Sequence, residues 1–510
     1  LNEFGESVRT SFVMNDAVMQ RLMLPVLFTK RAYEEIDLSP KSELLAGLLR
    51  EKWVLADSND DSRADFVKGD LEGISREVKE LYLADYRSNW ENVFAALQVK
   101  PFEDVRQAND ALLKFTDPVY SPLLAILKVS TANTALTNQF ISNLVDDAKD
   151  GSKGKAASLL AAQVKLNQVD ARFQELNQQL REAKDKPSPI SGSIQKIRQM
   201  QEFVNELSIS PDPGKMAFGL AKARHQGGGG NAITALVAHA KTSPDPVNRW
   251  LQSLSSETWR VIMRTAHGHV NQEWKNQVQN VCTSTLAGRY PFKSDSSSEV
   301  TLHDFTEFFK PGGIMDKFAT EYVKPFTDTG GSRGADDQGL GISAGTLAQV
   351  KRAQTIKSVF FGVNPAIPGA SFQLRPFFMD KTNARFILEV GDTRIAYNHG
   401  PKFWTTINWV GREDKNRVRV IFEDLNDQQH SLTFEGPWSW FRLQDRSNLS
   451  KTPVANVYLA TYSVPDGNHG GNDRVKSSGN HTVRYEIKSQ SANNPLDRDL
   501  LGGFRCTDGV

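Results

Sequence analysis

The chain has 510 residues, 39% hydrophobic and 24% charged, with 61 Lys and Arg against 60 Asp and Glu for a net charge of +1. That apolar content supports sizeable cores, roughly two to four domains at about 100–200 residues each. The near-neutral balance creates no field to draw in nucleic acid or an anionic membrane, so neither is an expected partner.

Residues 1 to about 335 read as mostly helical. The most apolar run, Met19 to Phe28, is short and broken by Arg21 and Pro25, far from the ~18 residues that a spanning helix needs. The chain opens at Leu1 with no signal-peptide pattern and reads as a piece of something longer. Ser39-Pro40 before Glu43-Leu44-Leu45 places a capping Ser ahead of a Pro at the first helical position. Asp146 to Lys155 is linker-like. Leu159, Ala162, Leu166, Val169, Phe173, Leu176 and Leu180 then repeat at steps of three and four, one apolar stripe on a helix that Pro187 stops. Gln226 to Asn231 holds four consecutive glycines, a loop rather than a helix.

Near residue 330 the texture changes. Thr329 to Gly345 is rich in Gly and Asp, and a further helix-like stretch follows at Leu347 to Phe361. After Pro365 the hydrophobic period becomes two. Phe386, Leu388 and Val390 alternate, and Gly391-Asp392 turns the chain into Thr393 to Tyr397, a hairpin signal. Val418, Val420 and Phe422 share one face, as do Val483, Tyr485 and Ile487. Further strands are expected at Ser371–Met379, Phe403–Val410, Ser431–Phe434 and Val454–Ser463. The fold class is therefore α+β multidomain, a mainly α-helical region followed by an antiparallel β-sandwich. The expected domains are 1–150 and 151–335, both helical, then 336–364 as a Gly-rich linker and helix, and 365–510 as the sandwich.

The chemistry-bearing motifs are sparse. Gly341-Ile342-Ser343-Ala344-Gly345 matches the G-x-S-x-G elbow of serine hydrolases, but that elbow needs a buried strand before the Ser. Gly-Ala-Asp-Asp-Gln-Gly-Leu before it makes none, so Ser343 fits an interdomain loop better than a nucleophile. No phosphate loop or dinucleotide fingerprint occurs, and no cofactor is expected. His267 and His269 offer two nominal metal ligands without a third in sequence, and the helical His303–Glu307 pair reads as polar packing. Asn480-His481-Thr482 fits a glycosylation sequon, which carries no weight if the source is bacterial. Cys282 and Cys506 read either as two buried thiols or as one disulfide closing a long loop; their spacing excludes a CxxC redox or zinc motif. Trp404, Trp409, Trp438, Trp440 and Phe441 are core candidates first, though one or two could anchor a docking surface.

Several stretches, in order, resemble the IcmF/TssM family. Leu27-Phe28-Thr29-Lys30-Arg31-Ala32-Tyr33 with Lys52-Trp53-Val54-Leu55 resembles its "FT..GY … WVL" entry, and Leu81 to Tyr86 with Trp90 its "Y..DY...W" helix. The most specific run is Cys282, then Gly288-Arg289-Tyr290-Pro291-Phe292, then Asp304-Phe305 and Gly312-Gly313. Pro437, Trp438, Phe441 and Arg442, then Asn494-Pro495-Leu496 and Phe504-Arg505-Cys506, close the pattern. Ala32, Leu496 and Thr507 depart from the family's usual Gly, Phe and Pro. Arg289 and Tyr290 read as fixing a helix exit, with Pro291 forcing the preceding residue extended.

The resemblance implies a non-catalytic scaffold of a type VI secretion membrane complex: the periplasmic portion of a bacterial inner-membrane protein. It further implies docking of a TssJ-type outer-membrane lipoprotein on the C-terminal β domain, somewhere within 365–510. A TssL-type inner-membrane subunit and self-association in the full complex complete the implied partners. A hydrolase using Ser343, or a soluble envelope-binding module, is the alternative.

Overall fold

A computed structural model describes residues 4–43, 63–137, 167–182, 186–228, 230–327, 339–410, 417–467, 479–489 and 493–510. The expected linker at 146–155, Trp53, and Leu159, Ala162 and Leu166 of the amphipathic stripe lie outside these residues. So does most of the Gly-rich stretch 329–345. The chain divides into two units, Leu1–Leu220 with Gly228–Thr265, and Ala221–Gly227 with Ala266–Val510.

The first unit is helical. Polar side chains set its helix starts: Asn15 accepts from the Val18 N–H ahead of Asp16–Leu22, and Thr29 from the Ala32 N–H ahead of Lys30–Glu35. Each satisfies an N–H that the first turn leaves orphaned. The long helix Arg63–Ala96 presents Tyr82, Tyr86 and Trp90, which meet the entry motif directly. Phe28 lies 6.1 Å from Tyr82 and 6.0 Å from Tyr86, and Trp90 Nε1 donates to Phe28 O at 3.1 Å. Tyr86, fully buried, donates to Asn133 O at 2.6 Å. Helix Gln168–Asn177 packs on this pillar and on Pro122–Thr134, while Pro189–Ser208 packs between Val105–Phe115 and Ala232–Ala240, with apolar faces inward. Val169, Phe173 and Leu176 of the expected stripe are buried; a 3-10 turn, Gln178–Leu180, follows the helix. Trp250, on helix Val247–Trp274, is buried and donates to Leu97 O at 2.9 Å.

The second unit joins helices to a sandwich. Its strands are β1 (Gly369–Met379), β2 (Asn383–Val390), β3 (Thr393–Tyr397), β4 (Thr405–Val410), β5 (Arg417–Asp424), β6 (Gln429–Glu435), β7 (Asn448–Lys451), β8 (Val457–Pro465) and β9 (Asn480–Ser489). One sheet runs β4-β1-β9-β8-β7 and the other β3-β2-β5-β6, with antiparallel pairing throughout. The alternation read from sequence places the core: Phe386 lies 5.1 Å from Phe422 in its own sheet and 5.3 Å from Tyr485 of the other. The hairpin turn falls at Gly391-Asp392, with Gly391 at φ +57°, the left-handed conformation a two-residue turn demands. The α+β architecture, helices first and an antiparallel sandwich after, is the one expected. The sequence reading passed over β7 and the helices Ser439–Arg446 and Arg498–Gly502.

Candidate functional site

The signature residues converge on a clasp inside the second unit. Helix Asn280–Thr285 ends in a turn containing Gly288, where the Arg289 guanidinium donates back to Ser284 O at 3.2 Å. Tyr290 then pairs with Glu299 in an isolated parallel bridge, and the Tyr290-Pro291 peptide is cis. The Tyr290 ring is buried, and its hydroxyl donates to Asp445 Oδ2 at 2.7 Å on helix Ser439–Arg446. Burial first, and the neighbouring Asp445 carboxylate second, push the phenol far above its ordinary range, so it stays a donor. Arg442 lies over the same ring at 4.0 Å and donates through Nε to Glu299 Oε1 at 2.5 Å. One guanidinium thus serves both a cation–π contact and an ion pair. Trp438, fully buried, donates to Val300 O at 2.8 Å.

Aromatic rings fill the space behind these polar ties. Phe305 packs 5.1 Å from Trp438, which stacks on Trp409 at 5.3 Å. Trp409 Nε1 donates to Pro437 O at 3.0 Å, and Phe441 meets Trp409 edge-on at 5.1 Å. Phe292 reaches Phe309 and Phe504, each at 5.8 Å. Thr301 caps helix Leu302–Phe309, its Oγ1 accepting from the Asp304 N–H at 3.0 Å. At Gly313 a Cβ would fall 2.7 Å from Glu307 O and 2.8 Å from Lys310 O, so only glycine fits. Cys282 and Cys506 are joined as a disulfide with Cα atoms 5.8 Å apart, closing 224 residues of sequence. Burial and hydrogen bonding here hold the signature side chains in place.

A second feature is exposed. β1 bulges between Pro376 and Phe378, so Phe377 and Phe378 both emerge half-exposed, where strict alternation would bury one. Phe403 is 71% exposed and Trp404 38%. Cations attend three of these rings: Arg375 over Trp404 at 4.6 Å, Lys402 over Phe377 at 5.9 Å and Arg484 over Phe378 at 5.7 Å. Trp409, Trp438, Trp440 and Phe441 are instead buried, leaving Trp404 as the member of that aromatic group turned outward.

Comparison with known proteins follows the same order along the chain. Residues 1–135 match the IcmF-related model, described as intracellular multiplication and human macrophage-killing. Residues 265–364 match the type VI secretion protein IcmF helical domain, and 372–491 the IcmF C2-like domain. The chain is 28% identical over 500 residues to the type VI secretion system component TssM1 of Pseudomonas aeruginosa. The chain belongs to the IcmF/TssM family. That alignment covers 94% of this chain and 43% of the relative, so the chain spans less than half of the curated relative's length. In fold, this family member is similar to a chain of a type VI secretion system membrane core complex, with TM-score 0.66 at 16% identity, covering 100% of this chain and 94% of the other. A type VI membrane complex chain gives TM-score 0.60 at 16% identity, over 86% of this chain and 79% of the other.

The remaining sequence candidates fall elsewhere in this IcmF/TssM chain. Ser343 caps helix Ala344–Phe360: its Oγ accepts from the Thr346 N–H at 3.1 Å and meets the Thr346 hydroxyl at 3.1 Å. Among the described residues before it, 339–342, there is no strand to form a nucleophile elbow. His267 Nε2 lies 3.4 Å from Val510 O, and the His269 ring sits against Tyr322. Glu307 pairs with Lys310. Among the described residues no helix is long and apolar enough to cross a membrane.

One cluster escaped the sequence reading. His430 on β6 and His481 on β9 stack with ring centroids 4.0 Å apart, and both lie 3.6 Å from Asp466 Oδ1, just past β8. Burial, then the neighbouring His430, hold the His481 imidazole below its ordinary range. A signal was present. His430 shares strand parity with Leu432 and Phe434, and His481 with Val483 and Tyr485, so alternation alone put two imidazoles on core faces.

Proposed function

We propose that this IcmF/TssM chain is a periplasmic, non-catalytic scaffold segment of a type VI secretion membrane complex, docking a TssJ-type outer-membrane lipoprotein through its β domain. The observation that carries the reading is the clasp. Tyr290, Arg442, Trp438 and the Cys282–Cys506 bond fix the sandwich to the helical segment 266–364 within one unit. A load-bearing strut between two membranes needs that rigidity, and a structural disulfide suits an oxidising compartment. The exposed ring group Phe377, Phe378, Phe403 and Trp404 supplies what a docking surface requires, large amphipathic anchors framed by cations. We assign the lipoprotein to that surface. A TssL-type inner-membrane subunit and further copies of the chain complete the assembly in this reading.

The test is co-purification of the 510-residue chain with the purified lipoprotein. Retention on an affinity resin is the expected outcome; a folded chain that never retains the lipoprotein sinks the docking claim.

A further inference from the structure

We propose that His430, His481 and Asp466 form a divalent transition-metal site, best suited to zinc, that staples the two sheets of the sandwich together. The three residues come from different places in the topology. His430 stands on β6 of the four-stranded sheet, His481 on β9 of the five-stranded sheet, and Asp466 directly follows β8. One ligand atom from each lies within 4.8 Å of the others. Asp466 Oδ1 is 3.6 Å from His430 Nδ1 and 3.6 Å from His481 Nε2. A tetrahedral zinc with bonds of about 2.0–2.1 Å sets its ligand atoms about 3.3 Å apart, so the two Asp466 edges contract slightly and the His430–His481 edge, within 4.8 Å, closes as the rings tilt.

The two rings stack 18° from parallel with centroids 4.0 Å apart, so they tilt open for both in-plane lone pairs to meet one ion. His481 Nδ1 faces Asn383 Oδ1 at 2.5 Å, which places the proton on Nδ1 and leaves Nε2 as a lone pair toward Asp466. His430 Nε2 lies 3.8 Å from Asp424 Oδ2, beyond hydrogen-bond length, while its Nδ1 lies on the Asp466 side. A ligating imidazole whose other nitrogen meets a carboxylate or carbonyl oxygen is the usual outer shell of a metal site. His430 Nδ1 presently accepts from the Gly467 N–H at 3.0 Å; the metal takes over that lone pair, and the turn at Asp466-Gly467 adjusts. Both imidazoles are buried while the Asp466 side chain is 55% exposed, so the ion enters from the Asp466 side and a water fills the fourth position. Two imidazoles and one carboxylate suit zinc, and magnesium, which prefers oxygen ligands, serves as the control. The two cysteines are bonded to each other and do not compete for the ion.

The experiment is calorimetric titration of zinc chloride into the full chain after removal of metal with a chelator, in parallel with magnesium chloride, followed by thermal unfolding with and without zinc. The expected result is one equivalent of zinc bound, no magnesium bound, and a melting transition of the second unit that zinc raises. Asp466→Ala, at an exposed position, keeps the metal-free melting temperature and weakens zinc at least ~10-fold. His481→Gln abolishes binding; should that variant fail to fold, Asp466→Ala alone decides. No zinc uptake by the unmodified chain overturns the proposal. So does uptake that Asp466→Ala leaves unchanged, which would locate the ion elsewhere, for example at His267 and His269.

Discussion

The two units of the chain are held by different means. The helical first unit rests on apolar faces closed by single polar ties, such as Trp90 to Phe28 O and Trp250 to Leu97 O. The second unit adds a covalent bond, a buried phenol–carboxylate pair, a guanidinium shared by a ring and a carboxylate, and a block of stacked aromatics. Helices pack adequately through ridges and apolar stripes, because each satisfies its own backbone. A sandwich joined to helices has no such periodic match at the junction, so specific polar and covalent ties set its geometry. Rigidity is concentrated where the β domain meets helical segment 266–364, the place a strut would need it.

Substitutions can break this contrast, the largest effects first. Trp438→Ala removes a fully buried indole and its bond to Val300 O, and should cost about 3–5 kcal/mol in the second unit. Trp250→Ala should do the same to the first unit. Two-step thermal unfolding, with each variant moving a different step, is the expected pattern; both variants moving both steps equally would erase the contrast. Cys506→Ser opens the 224-residue closure and should cost about 2–4 kcal/mol, confined to the second unit's transition in chemical denaturation. A melting curve indifferent to reductant would contradict the disulfide's place in the clasp. Tyr290→Phe removes the buried phenol donor to Asp445, which keeps its ion pair with Arg498, and should lower stability by about 1–3 kcal/mol. Ser343→Ala should cost only ~1 kcal/mol, the value of a lost helix cap, while secretion in a complemented strain continues. Loss of secretion with the fold intact would revive the hydrolase reading.

The smallest effect sharpens the first unit. Burial, then Lys196, hold the His239 imidazole below its ordinary range, where it meets the Ser193 hydroxyl at 2.9 Å. The unfolded chain therefore binds a proton more readily than the folded one. The contribution is full above the unfolded value of about 6.5 and is lost as pH falls through the lower folded value. Acid should weaken the first unit over that window, and His239→Gln should flatten the profile.

Much of this was legible in the residues. Alternation and the strand-like runs around it located eight of the nine strands among the described residues, because a half-buried strand writes its faces directly into sequence. Gly391-Asp392 announced its hairpin for the same local reason. β7 and helix Ser439–Arg446 were not readable, being too short for a period to show. The partners of the signature residues were not readable either. Tyr290 meets Asp445 across 155 positions, and Cys282 meets Cys506 across 224. Local pattern fixes which face a side chain takes but not which distant face it meets. The bulge at Pro376 defeated alternation outright, turning two adjacent phenylalanines outward.

Those outward rings carry the docking part of the account, and one measurement addresses it most directly. The affinity of the full chain for the purified TssJ-type lipoprotein should be compared between the unmodified protein, Phe403→Asp, and Leu425→Asp at an exposed position outside the ring group. The account predicts a loss of at least ~10-fold for Phe403→Asp and none for Leu425→Asp. Equal affinity across all three, with each protein folded, would contradict it.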